Sequence, residues 1–202
     1  MYIYGRPTGA KQTMKILIIT GPPYSGKGTQ CEIISKTYHF THLSTGDRLR
    51  LEKANRTDIG LTITRYEEKG DLVPDSIMKT LFGRILDENR DREGILLDGY
   101  PRTKPQVDDL LQLVNEKRLG ISMVINIIVP KEELLRRALK RSAESTREDD
   151  RDPETHLKRV SIFETSTLPA IEYMKTKIPV IDIDGIGSIG EITRRITEKI
   201  KA

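Results

Sequence analysis

The chain has 202 residues, with 34 Lys and Arg against 30 Asp and Glu, and its formal net charge is +4. In a chain of which 32% is charged, this small surplus does not by itself indicate a nucleic-acid-binding or a membrane-binding surface. An apolar fraction of 36% is sufficient for one compact core and excludes a chain that is disordered throughout.

The first residues lack the apolar run of a secretory signal, and no segment approaches the roughly 20 apolar residues that cross a bilayer. We therefore expect a cytoplasmic protein with no membrane contact. Residues 1–14 show no periodicity and are interpreted as a flexible extension, and residues 15–202 are interpreted as a single domain. The single cysteine, Cys31, cannot form an intrachain disulfide, and the three histidines are scattered, so that no zinc site is expected.

Apolar runs bounded by Gly, Pro and polar clusters alternate along the chain with longer segments of helical periodicity. In chain order, strands are predicted at residues 15–20, 42–45, 94–99, 123–129 and 179–184. Helices are predicted at residues 27–39, 74–89, 103–117, 131–141, 153–175 and 188–199. This alternation predicts an α/β fold with a doubly wound parallel five-stranded sheet, in which ligands bind beyond the carboxyl ends of the strands.

The strongest local signal is GPPYSGKGT at residues 21–29, directly after the first strand and directly before a helix. Such a Gly-rich turn directs backbone N–H groups toward a polyphosphate at the helix N-terminus, while Lys27 adds a point charge. In the strict phosphate-loop pattern a Ser or Thr directly follows the lysine. Here Gly28 follows it, and the hydroxyl side chain comes one place later, at Thr29. The alternative is a plain Gly/Pro-rich turn. We expect these residues to bind a nucleotide: Pro23, Tyr24, Ser25, Gly26, Lys27, Gly28 and Thr29.

Tyr24 is unusual within this loop. A bulky residue is tolerated there only if its backbone conformation suits a side chain with a Cβ and its ring points away from the phosphates. In one interpretation the ring rests on the rim of the site or against a mobile flap. In the other it narrows the phosphate site and slows turnover.

Three further segments follow the loop: STGDRLR at residues 44–50, EKGDLVPD at 68–75 and LLDGYPRTKPQ at 96–106. Together with the loop they resemble the nucleoside monophosphate kinases, and most closely the short-lid adenylate kinases. The resemblance covers essentially everything after Met14. It implies a P-loop NTPase-like fold with a helical flap over the monophosphate at about residues 44–73 and a short lid at about 141–152. It further implies Mg²⁺-dependent transfer, ATP + AMP = 2 ADP, in a monomer.

The same resemblance implies a set of AMP contacts: Thr45, Gly46, Arg50, Val73, Gly99, Arg102 and Gln106. The residue types suit this role, because Arg50 and Arg102 can hold a phosphate with planar forks and Gln106 offers a donor and an acceptor to an adenine edge. The pyrimidine branch of the family tends to have Ala and Asn where this chain has Thr45 and Thr103. We therefore favour AMP as the acceptor, with a UMP/CMP kinase as the alternative.

The densest group of cations follows the fourth predicted strand. Arg137 and Arg141 are four residues apart and share a helix face. The resemblance implies that Arg137 lies beside the ATP base and that Arg141, Arg147 and Arg159 surround the transferred phosphate. An ordinary solvated helix face is the alternative, because acidic residues surround these cations. With Lys27, Arg102 and Asp98, the three arginines around the phosphate complete the predicted catalytic set.

Three further expectations come from the resemblance. Gly187 contacts the ATP adenine through its backbone, and Asp98 and Asp47 orient Mg²⁺ through its water shell. The short stretch after Arg141 leaves no room for the zinc-binding insertion of long-lid relatives. The substrates are then ATP and AMP, and a nucleic-acid partner is disfavoured because no aromatic residues alternate with basic ones. The alternative to an active enzyme is a nucleotide-binding regulatory module that is catalytically weakened by Tyr24.

Overall fold

The structure is a computed structural model that describes residues 14–67, 72–144 and 153–201. Within these ranges, five parallel strands form one sheet in the order β2-β3-β1-β4-β5. The strands are β1 (Lys15–Thr20), β2 (Thr41–Ser44), β3 (Gly94–Asp98), β4 (Gly120–Ile128) and β5 (Val180–Asp184). The predicted doubly wound parallel sheet is confirmed, and each predicted strand overlaps an observed one.

Nine α-helices lie in the described part of the chain, and none of them is long and apolar enough to cross a membrane. They are α1 (Lys27–Tyr38), α2 (Thr45–Ala54), α3 (Asp58–Glu67), α4 (Asp75–Glu88), α5 (Lys104–Glu116), α6 (Lys131–Glu144), α7 (Pro153–Ile162), α8 (Leu168–Lys175) and α9 (Ile189–Lys201). The single helix predicted at residues 153–175 is interrupted by a π-helical stretch, Phe163–Thr167. Pro169, in the first turn of α8, explains the interruption because it cannot donate an intrahelical hydrogen bond.

Each face of the sheet carries its own apolar core. Alternate residues of β1 point to opposite faces, and Ile18 packs with α4, α5 and α8 while Ile19 packs with α1, α6 and α9. Both side chains are fully buried. On the first face, the rings of Phe82 and Tyr100 stack with their centroids 4.2 Å apart. The two cores fix the sheet between helical layers and leave its carboxyl edge for ligands.

Strand β4 contains one extra residue relative to its neighbour β1. Ile16 pairs with Ile121 and Leu17 pairs with Met123, so that Ser122 has no opposite residue in the ladder. Its hydroxyl donates to the carbonyl oxygen of Ile16 at 2.9 Å, which satisfies a backbone group at the irregularity.

Candidate active site

The phosphate loop connects β1 to α1. It is held by a hydrogen bond from the backbone N–H of Ser25 to the carbonyl of Pro22, at 3.3 Å. Gly26 precedes α1 with a φ of 86°, a left-handed conformation that a glycine adopts without strain. Lys27, the first residue of α1, donates from Nζ to the carbonyl of Pro22 at 3.1 Å. Its ammonium therefore lies across the loop.

Tyr24 also has a left-handed backbone, with a φ of 65°. L-residues rarely adopt this conformation, so the backbone at Tyr24 does not meet the first condition under which a bulky residue is tolerated in the loop. The ring lies edge-on against His156 of α7, with centroids 5.1 Å apart and planes at 74°. The tyrosine hydroxyl is hydrogen-bonded to Nδ1 of this histidine. The ring thus rests against α7. In the first interpretation of Tyr24 the ring also rests on a neighbouring surface, but that surface was expected to be the rim of the site or a mobile flap.

Charged groups from four segments meet at Lys27. Partial burial lowers the pKa of the Lys27 ammonium, and Asp98 opposes this effect because its negative charge lies nearby. The positive charges of Arg102 and Arg141 lower the same pKa further. The structure therefore brings together four residues of the predicted catalytic set from α1, β3, the loop after β3 and α6.

Asp98 is the last residue of β3 and is 9% exposed. With Cys31 and His42 it forms a group whose potential ligand atoms all lie within 4.8 Å of one another. Burial and the nearby Asp98 raise the pKa of the Cys31 thiol, so that the thiol stays protonated, and the charge of Lys27 is close by. These conditions do not suit a thiolate-bound metal. The carboxylate of Asp98, a hard oxygen ligand beside the phosphate loop, fits Mg²⁺.

Asp47, the second residue predicted to orient Mg²⁺, lies in the first turn of α2. It is exposed and forms an ion pair with Arg50, and the same arginine lies against Gly46. Ser44 begins this helix by accepting a hydrogen bond from the backbone N–H of Asp47, at 3.2 Å. The roles predicted for Asp47, Gly46 and Arg50 stay predictions.

A cavity of about 560 Å³ adjoins the phosphate loop. Arg137 forms part of its wall and donates to the carbonyls of Ser25, at 3.2 Å, and Gly185, at 2.9 Å. The cavity also contacts Ser25, Gly26, Thr29 and Gly187, all of them predicted ATP contacts. The structure thus brings Arg137 and Gly187 together with the loop, and their contacts with ATP stay predictions.

Two apolar residues of this cavity were missed by the sequence reasoning. Ile186 and Ile189 are 39% and 58% exposed and flank Gly187 between β5 and α9. Apolar side chains in such a position offer a surface to a planar base. What distinguishes these two isoleucines is that they are exposed beside a Gly-rich turn, and the exposure of a side chain cannot be read from a single sequence.

A second group of predicted residues surrounds the end of β3. Thr45 is 3% exposed and its hydroxyl lies 3.0 Å from the carbonyl of Asp98 and 3.1 Å from that of Gly99, within reach of both acceptors. Arg102 donates from Nε to the Gly99 carbonyl at 2.6 Å. Gly99 has a φ of 81°, and a Cβ there would lie 2.9 Å from both Thr45 Oγ1 and Arg102 Nη2. Only a glycine fits between these two side chains.

Gln106 is 2% exposed and its amide is held on both sides. Its Nε2 donates to Asp75 Oδ1 at 2.7 Å, and its Oε1 accepts from the backbone N–H of Arg102 at 2.8 Å. Thr103, the N-cap of α5, also donates to Asp75 Oδ1, at 2.8 Å. One N–H and one lone pair of the amide remain for a ligand. Asp75 was not singled out from the sequence, although it lies in the segment EKGDLVPD.

The remaining predicted residues are located as follows. Val73 is 7% exposed and packs in the core on the first face of the sheet. Arg159 of α7 donates from Nη1 to the hydroxyl of Tyr24 at 3.4 Å. Arg147 lies outside the described residues, as do residues 145–152 of the predicted lid and residues 1–13 of the predicted extension.

A family profile described as adenylate kinase matches residues 19–178. The chain is 40% identical to the adenylate kinase of Parabacteroides distasonis over 184 residues, covering 91% of this chain and 96% of the relative. It is also 40% identical to the adenylate kinase of Leptospira biflexa over 187 residues, covering 93% of this chain and 100% of the relative. The adenylate kinase of Flavobacterium psychrophilum is 36% identical over 184 residues, which cover 91% of this chain and 97% of that protein.

Proposed function

The chain belongs to the adenylate kinase family, and on that premise we propose that it transfers the terminal phosphoryl group of ATP reversibly to AMP, giving two ADP. The observation that supports this reaction most directly is the position of Lys27. Lys27 follows Gly26, which lines the cavity beside the phosphate loop, and its ammonium is within the electrostatic reach of Asp98, Arg102 and Arg141.

We assign the donor nucleotide to the cavity beside the phosphate loop. Its base would lie near Arg137, Gly187 and the two exposed isoleucines, and its phosphates would extend along the loop toward Lys27. The N–H groups at the start of α1 have no partners inside the helix and suit an anion. Because Lys27, among the described residues, bonds only a carbonyl of its own loop, its ammonium can turn to phosphate oxygens with the loss of one hydrogen bond.

We assign the acceptor nucleotide to the group of residues at the end of β3 that comprises Thr45, Gly99, Arg102 and Gln106. Arg102 would bind the acceptor phosphate with its guanidinium, and Gln106 would present its remaining donor and acceptor to the base. The described residues of the predicted flap, 44–67 and 72–73, would cover this side, and its residues 68–71 lie outside the described part of the chain. The fixed orientation of the Gln106 amide suits adenine, which presents a donor and an acceptor on one edge, and the choice of adenine over a pyrimidine rests on Thr45 and Thr103.

Phosphoryl transfer asks for in-line positioning and for stabilisation of the charge on the transferred group. Lys27, Arg141 and Arg159 would supply positive charge around that group, and no general base is needed. Asp98 would orient Mg²⁺ through its water shell, and the ion would supply positive charge that neutralises the phosphates of ATP. Closure over both nucleotides would exclude water, and thereby hydrolysis of ATP.

The first experiment measures ADP formation from ATP and AMP in the presence of Mg²⁺, and compares AMP, CMP and UMP as acceptors. We expect a clear preference for AMP. A preference for CMP or UMP would replace the proposal by a pyrimidine nucleotide kinase, and substitution of Tyr24 by glycine tests the regulatory alternative. If neither the wild type nor Tyr24→Gly forms ADP although both bind ATP, the regulatory module is the better description.

The second experiment tests the role of Lys27. We expect Lys27→Ala to lower kcat by about 100-fold or more, since loss of one preorganised group that stabilises the developing charge has an effect of this size. Lys36→Ala is the matched control, because Lys36 lies on the exposed side of the same helix. Equal kcat values for the two variants would contradict the assignment of Lys27 to the transferred phosphate.

A further inference from the structure

Tyr24 is retained in a backbone conformation that costs a tyrosine about 1–2 kcal/mol relative to an unstrained one. A glycine would occupy the same position without this cost. Its side chain therefore has to supply something that a glycine could not. What it supplies is a set of contacts with α7, which is distant from the loop in sequence and is itself bonded to α6.

The tyrosine hydroxyl bonds Nδ1 of His156, and Nε2 of the same ring bonds the hydroxyl of Ser142 on α6. Ser142 in turn donates to the carbonyl of Ala138 at 3.2 Å. His156 is 3% exposed, so these bonds lie in the interior. At the other end, Nη1 of Arg159 donates to the tyrosine hydroxyl at 3.4 Å.

The direction of every bond in this chain follows from its two ends. A carbonyl only accepts, so Ser142 uses its hydrogen on Ala138 and must accept from Nε2–H of His156. We assign the tautomer with its hydrogen on Nε2, so that Nδ1 accepts the hydroxyl hydrogen of Tyr24. The lone pairs of the tyrosine oxygen are left to face Arg159, whose guanidinium only donates. Each group in the chain thus donates to the next, from the guanidinium of Arg159 through Tyr24, His156 and Ser142 to the carbonyl of Ala138.

This chain of hydrogen bonds connects the phosphate loop to the two helices that carry arginines of the predicted catalytic set. Ser142 directly follows Arg141 on α6, and Arg159 lies one turn after His156 on α7. Because α7 meets the loop at the tyrosine hydroxyl and α6 is bonded to α7 through His156, we expect a change at this hydroxyl to alter the position of the cations and not only the stability of the fold.

We propose that Tyr24 and His156 are positioning residues for phosphoryl transfer, which hold Arg159 and the start of α7 beside the phosphate loop. The proposal rests on the proposed function of the site. It accounts for a tyrosine in the loop: the residue orients a cation at the transferred group through its hydroxyl, while its ring occupies space against α7.

Tyr24→Phe tests this directly, because it removes the hydroxyl and keeps the ring. We expect kcat for ADP formation to fall about tenfold, which corresponds to about 1.4 kcal/mol, with the KM values for ATP and AMP within about twofold of the wild type. KM changes little because Arg159 is assigned to the group in transfer and contributes mainly in the transition state. Tyr38→Phe is the matched control, since the Tyr38 hydroxyl is buried without a hydrogen-bond partner among the described residues; its kcat is expected to stay at the wild-type value.

A double-mutant cycle separates positioning from a general structural effect. In the Arg159→Ala background, Tyr24→Phe is expected to change kcat by less than about twofold, because the group that the hydroxyl positions is gone. His156→Leu should reproduce the loss seen in Tyr24→Phe, and the double variant should lose no more than either one. If His156→Leu does not fold, the proposal is tested by the double-mutant cycle of Tyr24→Phe and Arg159→Ala alone.

Three results would overturn the proposal. The first is a kcat of Tyr24→Phe within twofold of the wild type. The second is an equal loss in the wild-type and Arg159→Ala backgrounds, which would mean that the hydroxyl acts without Arg159. The third is a wild-type protein that forms no ADP, which would overturn the proposed function together with this inference; the first two leave the proposed function intact.

Discussion

Replacement of Asp75 by alanine is expected to weaken AMP binding selectively. Asp75 Oδ1 accepts from Gln106 Nε2 at 2.7 Å and from Thr103 Oγ1 at 2.8 Å. The amide of Gln106 is buried, with 2% of the residue exposed, so that its orientation depends on these neighbours. In the variant, the amide can rotate and present the wrong pair of atoms to the base. Asp75 itself need not contact AMP for this to happen.

The size of the effect follows from the bond that is lost. A hydrogen bond to a charged acceptor contributes about 1.5–3 kcal/mol. The cavity left by the alanine admits water, which restores part of this, so we take the lower limit. An energy of about 1.5 kcal/mol corresponds to an increase of about tenfold in the KM for AMP. The KM for ATP should change by less than about twofold, because Asp75 does not line the donor cavity.

The assay varies AMP at saturating ATP and then ATP at saturating AMP, with thermal unfolding measured on the same samples. Asp75→Asn keeps one acceptor oxygen and should lie between the wild type and the alanine variant. Asp108→Ala is the control, since it removes a carboxylate from the neighbouring helix α5. Among the described residues, Asp108 accepts only from the exposed hydroxyl of Tyr173. If Asp75→Ala is folded and its KM for AMP stays within twofold of the wild type, the reasoning about the amide is refuted.

Gly99→Ala should raise the KM for AMP and lower the unfolding temperature, because its Cβ would lie 2.9 Å from Arg102 Nη2 in a backbone conformation with a φ of 81°; unchanged values in both assays would contradict the close approach. Glu133→Gln should destabilise the protein at neutral pH. Hydrogen bonds from Arg136 and the next arginine lower the pKa of Glu133 to about 2 from 4.5, so its contribution is present above pH 4.5 and is lost as the pH falls toward 2. Unfolding temperatures measured from pH 7 down to pH 3 should therefore converge for the wild type and this variant, and a gap that stays constant would disprove the role of the carboxylate.

Much of the sheet could be predicted because its strands are short apolar runs with clear ends. Strand β1 was predicted with its observed bounds, 15–20, since Met14 and the Gly-Pro turn enclose six residues of which five are buried. Helix α2 was not predicted from periodicity. Its buried residues are Thr45, Leu49 and Glu52, and two of these three are polar, so that no apolar stripe marks the helix.

The site could be predicted where a motif lies within one segment. The phosphate loop and the segment at 96–106 each keep their residues close in sequence, and the structure brings Lys27, Asp98 and Arg102 together. The partner of Tyr24 could not be predicted. His156 is 132 residues away, and nothing in the sequence near it distinguishes a buried histidine that bonds two hydroxyls from one on the surface.

The extra residue in β4 has a consequence for how this strand tolerates changes in length. In a regular strand, one inserted residue would turn every later side chain to the wrong layer. Here the irregularity at Ser122 absorbs the insertion, so that Ile121 and Val124, three positions apart, pack in the same core, while Ile125 and Ile127 keep the opposite face. A relative with one residue fewer at this point would keep the carboxyl half of β4 in place beside the phosphate loop. A one-residue deletion at this point of the buried strand is therefore compatible with an unchanged nucleotide site.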